Sequence, residues 1–156
     1  MRVSLFVSGC THHCKGCFNE MAWSFDYGQP FTQETEQMLL AALAPEHIAG
    51  LTLLGGEPME PENQRALVPF LKRFRARYAH TKTLWVYTGC VYELDLLPSQ
   101  RNSRWRTEVT DDFLAMIDTL VDGPFVESLK DISLRFRGSS NQRILDLAAM
   151  RHSSQG

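Results

Sequence analysis

No stretch of the 156-residue sequence approaches the roughly 18 consecutive apolar residues that a membrane-spanning helix needs, so no membrane segment is expected. The N-terminus falls short of a leader as well. After Arg2 only Val3, Leu5, Phe6 and Val7 are apolar before Ser8-Gly9-Cys10, against the about 7 to 15 apolar residues of a secretory signal. Charge of one sign is also missing: sixteen Lys and Arg against eighteen Asp and Glu leave a formal net charge of −2. That balance offers no electrostatic footprint for nucleic acid or for an anionic membrane. There is no internal repeat and no low-complexity linker, and 44% apolar with 22% charged residues excludes disordered, collagen-like and coiled-coil architectures. What is left is one folded domain, expected over 1–150, followed by a polar tail over 151–156.

Cysteine is scarce and unevenly placed. Of four, Cys10, Cys14 and Cys17 fall within eight residues, and Cys90 stands far downstream. A disulfide framework would spread its cysteines to close loops, so the clustering points to metal-binding or reactive thiols in a reducing, cytoplasmic compartment.

Strand-like and helix-like segments alternate. Residues 3–7 are rich in β-branched and aromatic side chains and read as a buried strand that delivers Cys10 onto a loop. Phe31-Thr32 opens a helix that Thr32 caps, with Glu34 and Glu36 near its positive end, Met38, Leu39, Ala42 and Leu43 as its inner face, and Pro45 as its stop. A second short strand over 51–54 runs into Gly55-Gly56-Glu57-Pro58. A helix over 62–78 places Leu67, Leu71, Phe74 and Tyr78 on one side; Pro69 marks a kink, and Lys72, Arg73, Arg75 and Arg77 read as a solvated face. A third strand over 83–88 closes at Gly89, and 91–106 reads as loop with one helical turn. Thr110 then caps a helix carrying Phe113, Leu114 and Ile117, before a fourth strand over 119–121 and a fifth over 133–137. Such alternation implies right-handed βαβ units and a mostly parallel sheet, which binds ligands at the carboxyl ends of its strands. The unusual loops at Cys10, Gly55, Gly89, Asp122 and Gly138 all follow strands and are expected on that one edge.

Cys10-Thr11-His12-His13-Cys14-Lys15-Gly16-Cys17 puts three thiolates on a loop short enough to wrap one metal centre. Structural zinc takes four protein ligands, and an electron-transfer [4Fe-4S] cluster takes four cysteines. Three cysteines on such a cluster leave one iron open, as a catalytic metal requires. Spacing alone leaves other readings in place: His12 or His13 completing a zinc site in a non-catalytic module, Cys90 as a fourth thiolate, or reduced cysteines in the core. Zinc ligands usually come as two separated pairs, and a second pair is missing here; Cys90 reads as a turn cysteine. Gly55 and Gly56 let backbone come close to a ligand, although a plain strand-to-helix turn with Pro58 at the helix start uses the same residues.

The three cysteines behind a first strand, together with Gly55-Gly56-Glu57-Pro58 behind a second, resemble the signature of the radical S-adenosylmethionine enzymes. Leu5-Phe6-Val7-Ser8-Gly9-Cys10, Gly16-Cys17-Phe18-Asn19, Gly28-Gln29-Pro30-Phe31-Thr32, Trp85-Val86-Tyr87-Thr88-Gly89, Leu120-Val121-Asp122-Gly123 and Arg137-Gly138-Ser139-Ser140-Asn141-Gln142 extend the likeness over nearly the whole chain. They are similar to the activating proteins of anaerobic ribonucleoside-triphosphate reductases, in the organic-radical-activating enzyme family. The resemblance implies an α/β fold, a partial (incomplete) βα barrel with a mostly parallel sheet. It implies a [4Fe-4S] cluster held by Cys10, Cys14 and Cys17, and S-adenosylmethionine bound at the open iron. Gly16, Cys17 and Phe18 would meet the adenine; Gly55, Gly56 and Glu57 would meet the methionine, Glu57 accepting from its ammonium. Thr88 and Asp122 would add contacts at strand ends. Asn141 and Arg143 would bind cofactor or partner, or only order the final turn, and His12 and His13 would be exposed loop residues.

The chemistry so implied is one-electron cleavage to a 5′-deoxyadenosyl radical, which takes hydrogen from the Cα of a glycine on the large subunit of the anaerobic reductase. The electron would come from a low-potential, flavodoxin-like donor. Members of that family usually carry further N-terminal residues, with a Gly-Pro-Gly segment ahead of the position matching Arg2, and commonly have tyrosine at the position of Cys90; the sequence has neither. Two neighbouring radical S-adenosylmethionine readings are a pyruvate formate-lyase activator, usually a longer protein, and an enzyme of modified-purine synthesis.

Overall fold

The computed structural model describes residues 1–9, 31–79, 81–131, 133–134 and 139–155. Its centre is a five-stranded sheet in the order β1 (Arg2–Val7), β2 (Gly50–Gly55), β3 (Thr83–Tyr87), β4 (Thr119–Asp122), β5 (Arg143–Asp146). The first four strands are parallel and lie in chain order, and β5 runs antiparallel to β4. Right-handed crossovers in a sheet whose order never reverses place the connecting helices on one face. Among the described residues the sheet is not closed: β1 and β5 are its edges.

Period-two alternation decides what that face receives. Leu51 and Leu53 of β2, Leu84 and Val86 of β3 and Leu120 of β4 are all fully buried. Against them pack α1 (Gln33–Ala42), α2 (Pro61–Tyr78), α3 (Thr110–Met116) and α4 (Leu147–Gln155), through Leu39, Leu40, Leu43, Leu67, Phe70, Leu71, Phe74, Phe113 and Leu147. The Thr32 side chain accepts from the Thr35 N–H and so caps α1. The inner face of α1 is Leu39, Leu40 and Leu43; Met38, expected there, is 65% exposed, and Ala42 is exposed too. The helix is turned about one residue from the reading because Leu40, not Met38, meets the core.

Other expectations are displaced in instructive ways. The four basic residues of α2 do not form one solvated face. Arg75 is half-buried and donates to the carbonyls of Ala79, Lys82 and Met116 and, at 2.6 Å, to the Asp118 carboxylate, which also accepts from the Leu84 N–H at 2.7 Å. This guanidinium ties the end of α2 to β3 and to the residue preceding β4. Thr110 is the first residue of α3 rather than its cap; its hydroxyl donates to buried Gln64 at 2.6 Å, and the Thr107 hydroxyl accepts from the Val109 N–H. The expected fifth strand is not found where residues 133–134 are described, since these form a turn, and 135–137 lie outside the described residues. The strand that completes the sheet is Arg143–Asp146, which pairs antiparallel with β4; among the described residues the connection's only helical piece is the short 3-10 turn Glu127–Leu129. The polar residues after Arg151 continue α4 to Gln155, with Leu147 buried beneath its first turn and the Asp146 carboxylate accepting from the Ala149 N–H. The expected helical turn in 91–106 is Tyr92–Leu96, a single π-type turn.

Removing the Asp118 carboxylate would leave Arg75 half-buried beside an empty position and the Leu84 N–H without its acceptor. Asp118→Ala is expected to lower the unfolding free energy by about 2 to 3 kcal/mol in urea denaturation. Lys72→Ala, which removes an exposed pair with Asp112, should cost less than about 1 kcal/mol.

Candidate functional site

The carboxyl ends of β1 to β4 lie side by side, and their loops are joined by hydrogen bonds that continue past the strands. Gly55, opposite Val7 in the ladder, has φ +113°, and a Cβ there would stand 2.6 Å from the Val7 carbonyl oxygen and 2.7 Å from its nitrogen. Only glycine lets the two chains come this close in that conformation. The Gly56 N–H then donates to Val7 and the Glu57 N–H to Gly9, both at 2.7 Å. Gly9 directly precedes Cys10, so the chain enters the cysteine loop beside the Gly-Gly-Glu-Pro turn.

Glu57 is 1% exposed. One carboxylate oxygen accepts from the Met59 N–H at 2.8 Å and from the Thr88 hydroxyl at 2.6 Å; the other accepts from the Gly89 N–H at 2.6 Å. A buried carboxylate is tolerated only when its lone pairs are met in this way. Expected as a ligand for an ammonium, Glu57 here clamps the β2 turn to the end of β3. Thr88 is the partner in that clamp, its hydroxyl also accepting from the Cys90 N–H at 3.0 Å. Both residues are thus engaged with the protein itself.

Asp122, at the end of β4, is fully buried. Its carboxylate accepts from the Tyr92 N–H at 2.9 Å and from the Arg143 fork at 2.9 and 2.5 Å. Arg143 also reaches Glu93 at 2.7 Å, and this guanidinium holds the Glu93 carboxyl below the usual carboxylate range. Hydrogen bonding to Asp122, then to Glu93, raises the Arg143 guanidinium above its ordinary value. The Asn141 amide donates to the Pro124 carbonyl and the Gln142 amide to that of Gly123, each from the segment leading into β5. Asn141 and Arg143 therefore order the turn into β5.

Cys90 is fully buried in the hydrophobic core. Burial pushes its thiol far up, the nearby Glu57 carboxylate acts in the same direction, and a hydrogen bond with Thr88 opposes them. Among the described residues no group of three or more His, Cys, Asp or Glu is placed to hold a metal ion. Cys10, Cys14, Cys17, Gly16 and Phe18, with His12 and His13, lie outside the described residues. The described edge nonetheless fits the expected groups. The chain is bolted to the turn one residue before a set of three soft thiol donors, the donor chemistry of iron–sulfur clusters. Asn63 also joins this edge, and no sequence signal singled it out, since an asparagine in the first turn of a helix has many ordinary uses.

Residues 1–145 match the family model described as a 4Fe-4S single cluster domain. The chain is 43% identical over 145 residues to the anaerobic ribonucleoside-triphosphate reductase-activating protein of Haemophilus influenzae, covering 92% of this chain and 86% of that one. It is 42% identical over 143 residues to the protein of the same name from Escherichia coli strain K12, covering 90% and 85%. The protein of that name from Enterobacteria phage T4 is 35% identical over 143 residues, covering 92% and 82%. No solved structure matches the chain.

Two substitutions test the clamp. Glu57→Gln places an NH2 group where donors converge and should destabilise the fold by about 1 to 3 kcal/mol, with faster amide exchange at Gly89. Cys90, neutral and buried, should resist iodoacetamide in the native protein at pH 8 and react only after unfolding, as read by mass spectrometry of its peptide.

Proposed function

The chain belongs to the family of anaerobic ribonucleoside-triphosphate reductase-activating proteins and carries a 4Fe-4S single cluster domain, and we propose that it is an activase installing a glycyl radical on such a reductase. Its target is another protein, the large subunit of the reductase, and its fold is a partial βα barrel of the radical S-adenosylmethionine type. A low-potential, flavodoxin-like protein supplies the electron. The observation that carries the reading is the hydrogen bond from the Glu57 N–H to the Gly9 carbonyl, which fixes the Gly-Gly-Glu-Pro turn beside the chain entering the three-cysteine loop.

Cys10, Cys14 and Cys17 would hold the [4Fe-4S] cluster, leaving one iron for the amino and carboxylate groups of S-adenosylmethionine. When bound, the two cofactors supply one-electron cleavage of a sulfonium, the source of the hydrogen-atom abstraction at a glycine Cα. The protein's own share is placement. Gly55 lets the turn lie against Val7, Gly56 offers backbone without a Cβ to the methionine, and Glu57 keeps that turn in place from behind through Thr88 and Gly89. Gly16 and Phe18, flanking Cys17, are positioned in sequence to meet the adenine. Asp122 supports the edge by fixing Arg143 and the Tyr92 N–H.

Anaerobic reconstitution with iron and sulfide should give a brown protein that, once reduced, converts S-adenosylmethionine into methionine and 5′-deoxyadenosine. Mixed with an anaerobic ribonucleoside-triphosphate reductase, it should generate a glycyl radical doublet in electron paramagnetic resonance. Cys10→Ala, Cys14→Ala and Cys17→Ala should each abolish cleavage, and Cys90→Ala should retain it. A colourless protein with bound zinc, or loss of the cluster on Cys90→Ala, would sink the reading.

A further inference from the structure

Asn63 sits in the first turn of α2, outside every motif of the sequence. Its side-chain amide donates to the carbonyl of Ser8 at 3.0 Å, of Gly9 at 3.5 Å and of Glu57 at 2.8 Å. Ser8 and Gly9 are the two residues ahead of Cys10, and Glu57 belongs to the Gly-Gly-Glu-Pro turn. One planar amide thus bridges the chain entering the cysteine loop and the turn expected to hold methionine. It does so from a helix whose body is fixed by Leu67, Phe70, Leu71 and Phe74 in the core.

We propose that Asn63 is a positioning residue for the cofactor site: its amide locks the entry to the cysteine loop against the Gly-Gly-Glu-Pro turn, holding the metal centre and the methionine-binding backbone at one separation. The inference rests on the activase reading above and adds to it a residue that touches neither cofactor. The backbone bonds from Gly56 to Val7 and from Glu57 to Gly9 set the register of the two loops. Asn63 adds a third tie that starts from a rigid helix, so the separation is set by packed secondary structure and not by the loops alone. The requirement is for donors. An aspartate of the same shape would present oxygen to three carbonyl oxygens and hold nothing.

The test compares wild type, Asn63→Ala, Asn63→Asp and, as a control two residues along the helix, Arg65→Ala, which removes an exposed pair with Glu108. Each is reconstituted with iron and sulfide and titrated with S-adenosylmethionine, the readout being the change in the electron paramagnetic resonance spectrum of the reduced cluster. Both Asn63 variants should take up iron as wild type does. The S-adenosylmethionine concentration at half-maximal spectral change should rise about tenfold, the equivalent of one hydrogen bond lost. At saturation kcat should fall by less than about threefold. Arg65→Ala should match wild type. A purely structural role would lower Tm without moving the midpoint, and an unmoved midpoint in the Asn63 variants overturns the proposal. Should Asn63→Asp fail to fold, Asn63→Ala decides by the same titration. A wild-type protein that takes up no iron, or whose cluster ignores S-adenosylmethionine, overturns the activase reading and this proposal with it, an outcome distinct from a responsive wild type with unaffected variants.

Discussion

A carboxylate without water must be met by donors on every side, and at Glu57 that requirement organises the edge of the sheet where the loops gather. Burying an ionised carboxyl group costs several kcal/mol unless hydrogen bonds and charges offset it. Here the Met59 N–H, the Thr88 hydroxyl and the Gly89 N–H do so. Thr88 and Gly89 lie beyond β3, so the turn after β2 cannot take this shape unless β3 and its loop are already placed. A short, locally unremarkable turn is thereby made dependent on the tertiary fold.

From Glu57 the dependence spreads in both directions. Toward β1 it runs through the backbone bonds of Gly56 and Glu57 to Val7 and Gly9, and through the Asn63 amide. Toward β4 it runs from the Thr88 N–H to the Val121 carbonyl and from the Gly123 N–H to the Cys90 carbonyl. Asp122 then passes it to Arg143 of β5 and to the loop at Tyr92. Four loops on separate strands are joined into one border, as a site that must hold two groups at a fixed distance requires.

Much of this plan was readable in the sequence because its signals are local. Strands β1 to β4 announce themselves by short β-branched or aliphatic runs ending in glycine, and α2 by Leu67, Leu71 and Phe74 at helical spacing. The clustering of Cys10, Cys14 and Cys17 marks a metal or thiol centre, and the family resemblance, not the spacing, points to iron–sulfur. What was not readable depends on partners distant in sequence. Arg75 looks like its basic neighbours until Asp118 lies beneath it, and Thr110 looks like a cap until buried Gln64 claims its hydroxyl. Strand β5 has only Ile144 and Leu145 between charged ends, too few residues for a periodic signal, and its pairing is fixed by β4. The motif names Glu57 without its partners, and the Thr88 hydroxyl and Gly89 N–H that meet its carboxylate come from a strand end some thirty residues away.

The members of the border also share atoms, which decides how it responds to change. The Thr88 hydroxyl donates to Glu57 while accepting from Cys90, and the Asp122 carboxylate serves Tyr92 and Arg143 together. The Asn63 amide serves residues on both sides of the β1–β2 junction. When one group closes two hydrogen bonds, losing it also weakens what remains of each partner's contacts, so the energies of neighbouring ties do not add. Small polar groups such as Asn63 and Thr88 then govern the spacing of the loops that, on the proposed reading, would meet the cofactors. For chemistry that depends on holding a metal centre and its co-substrate at one separation, that spacing is the part of the mechanism the fold itself supplies.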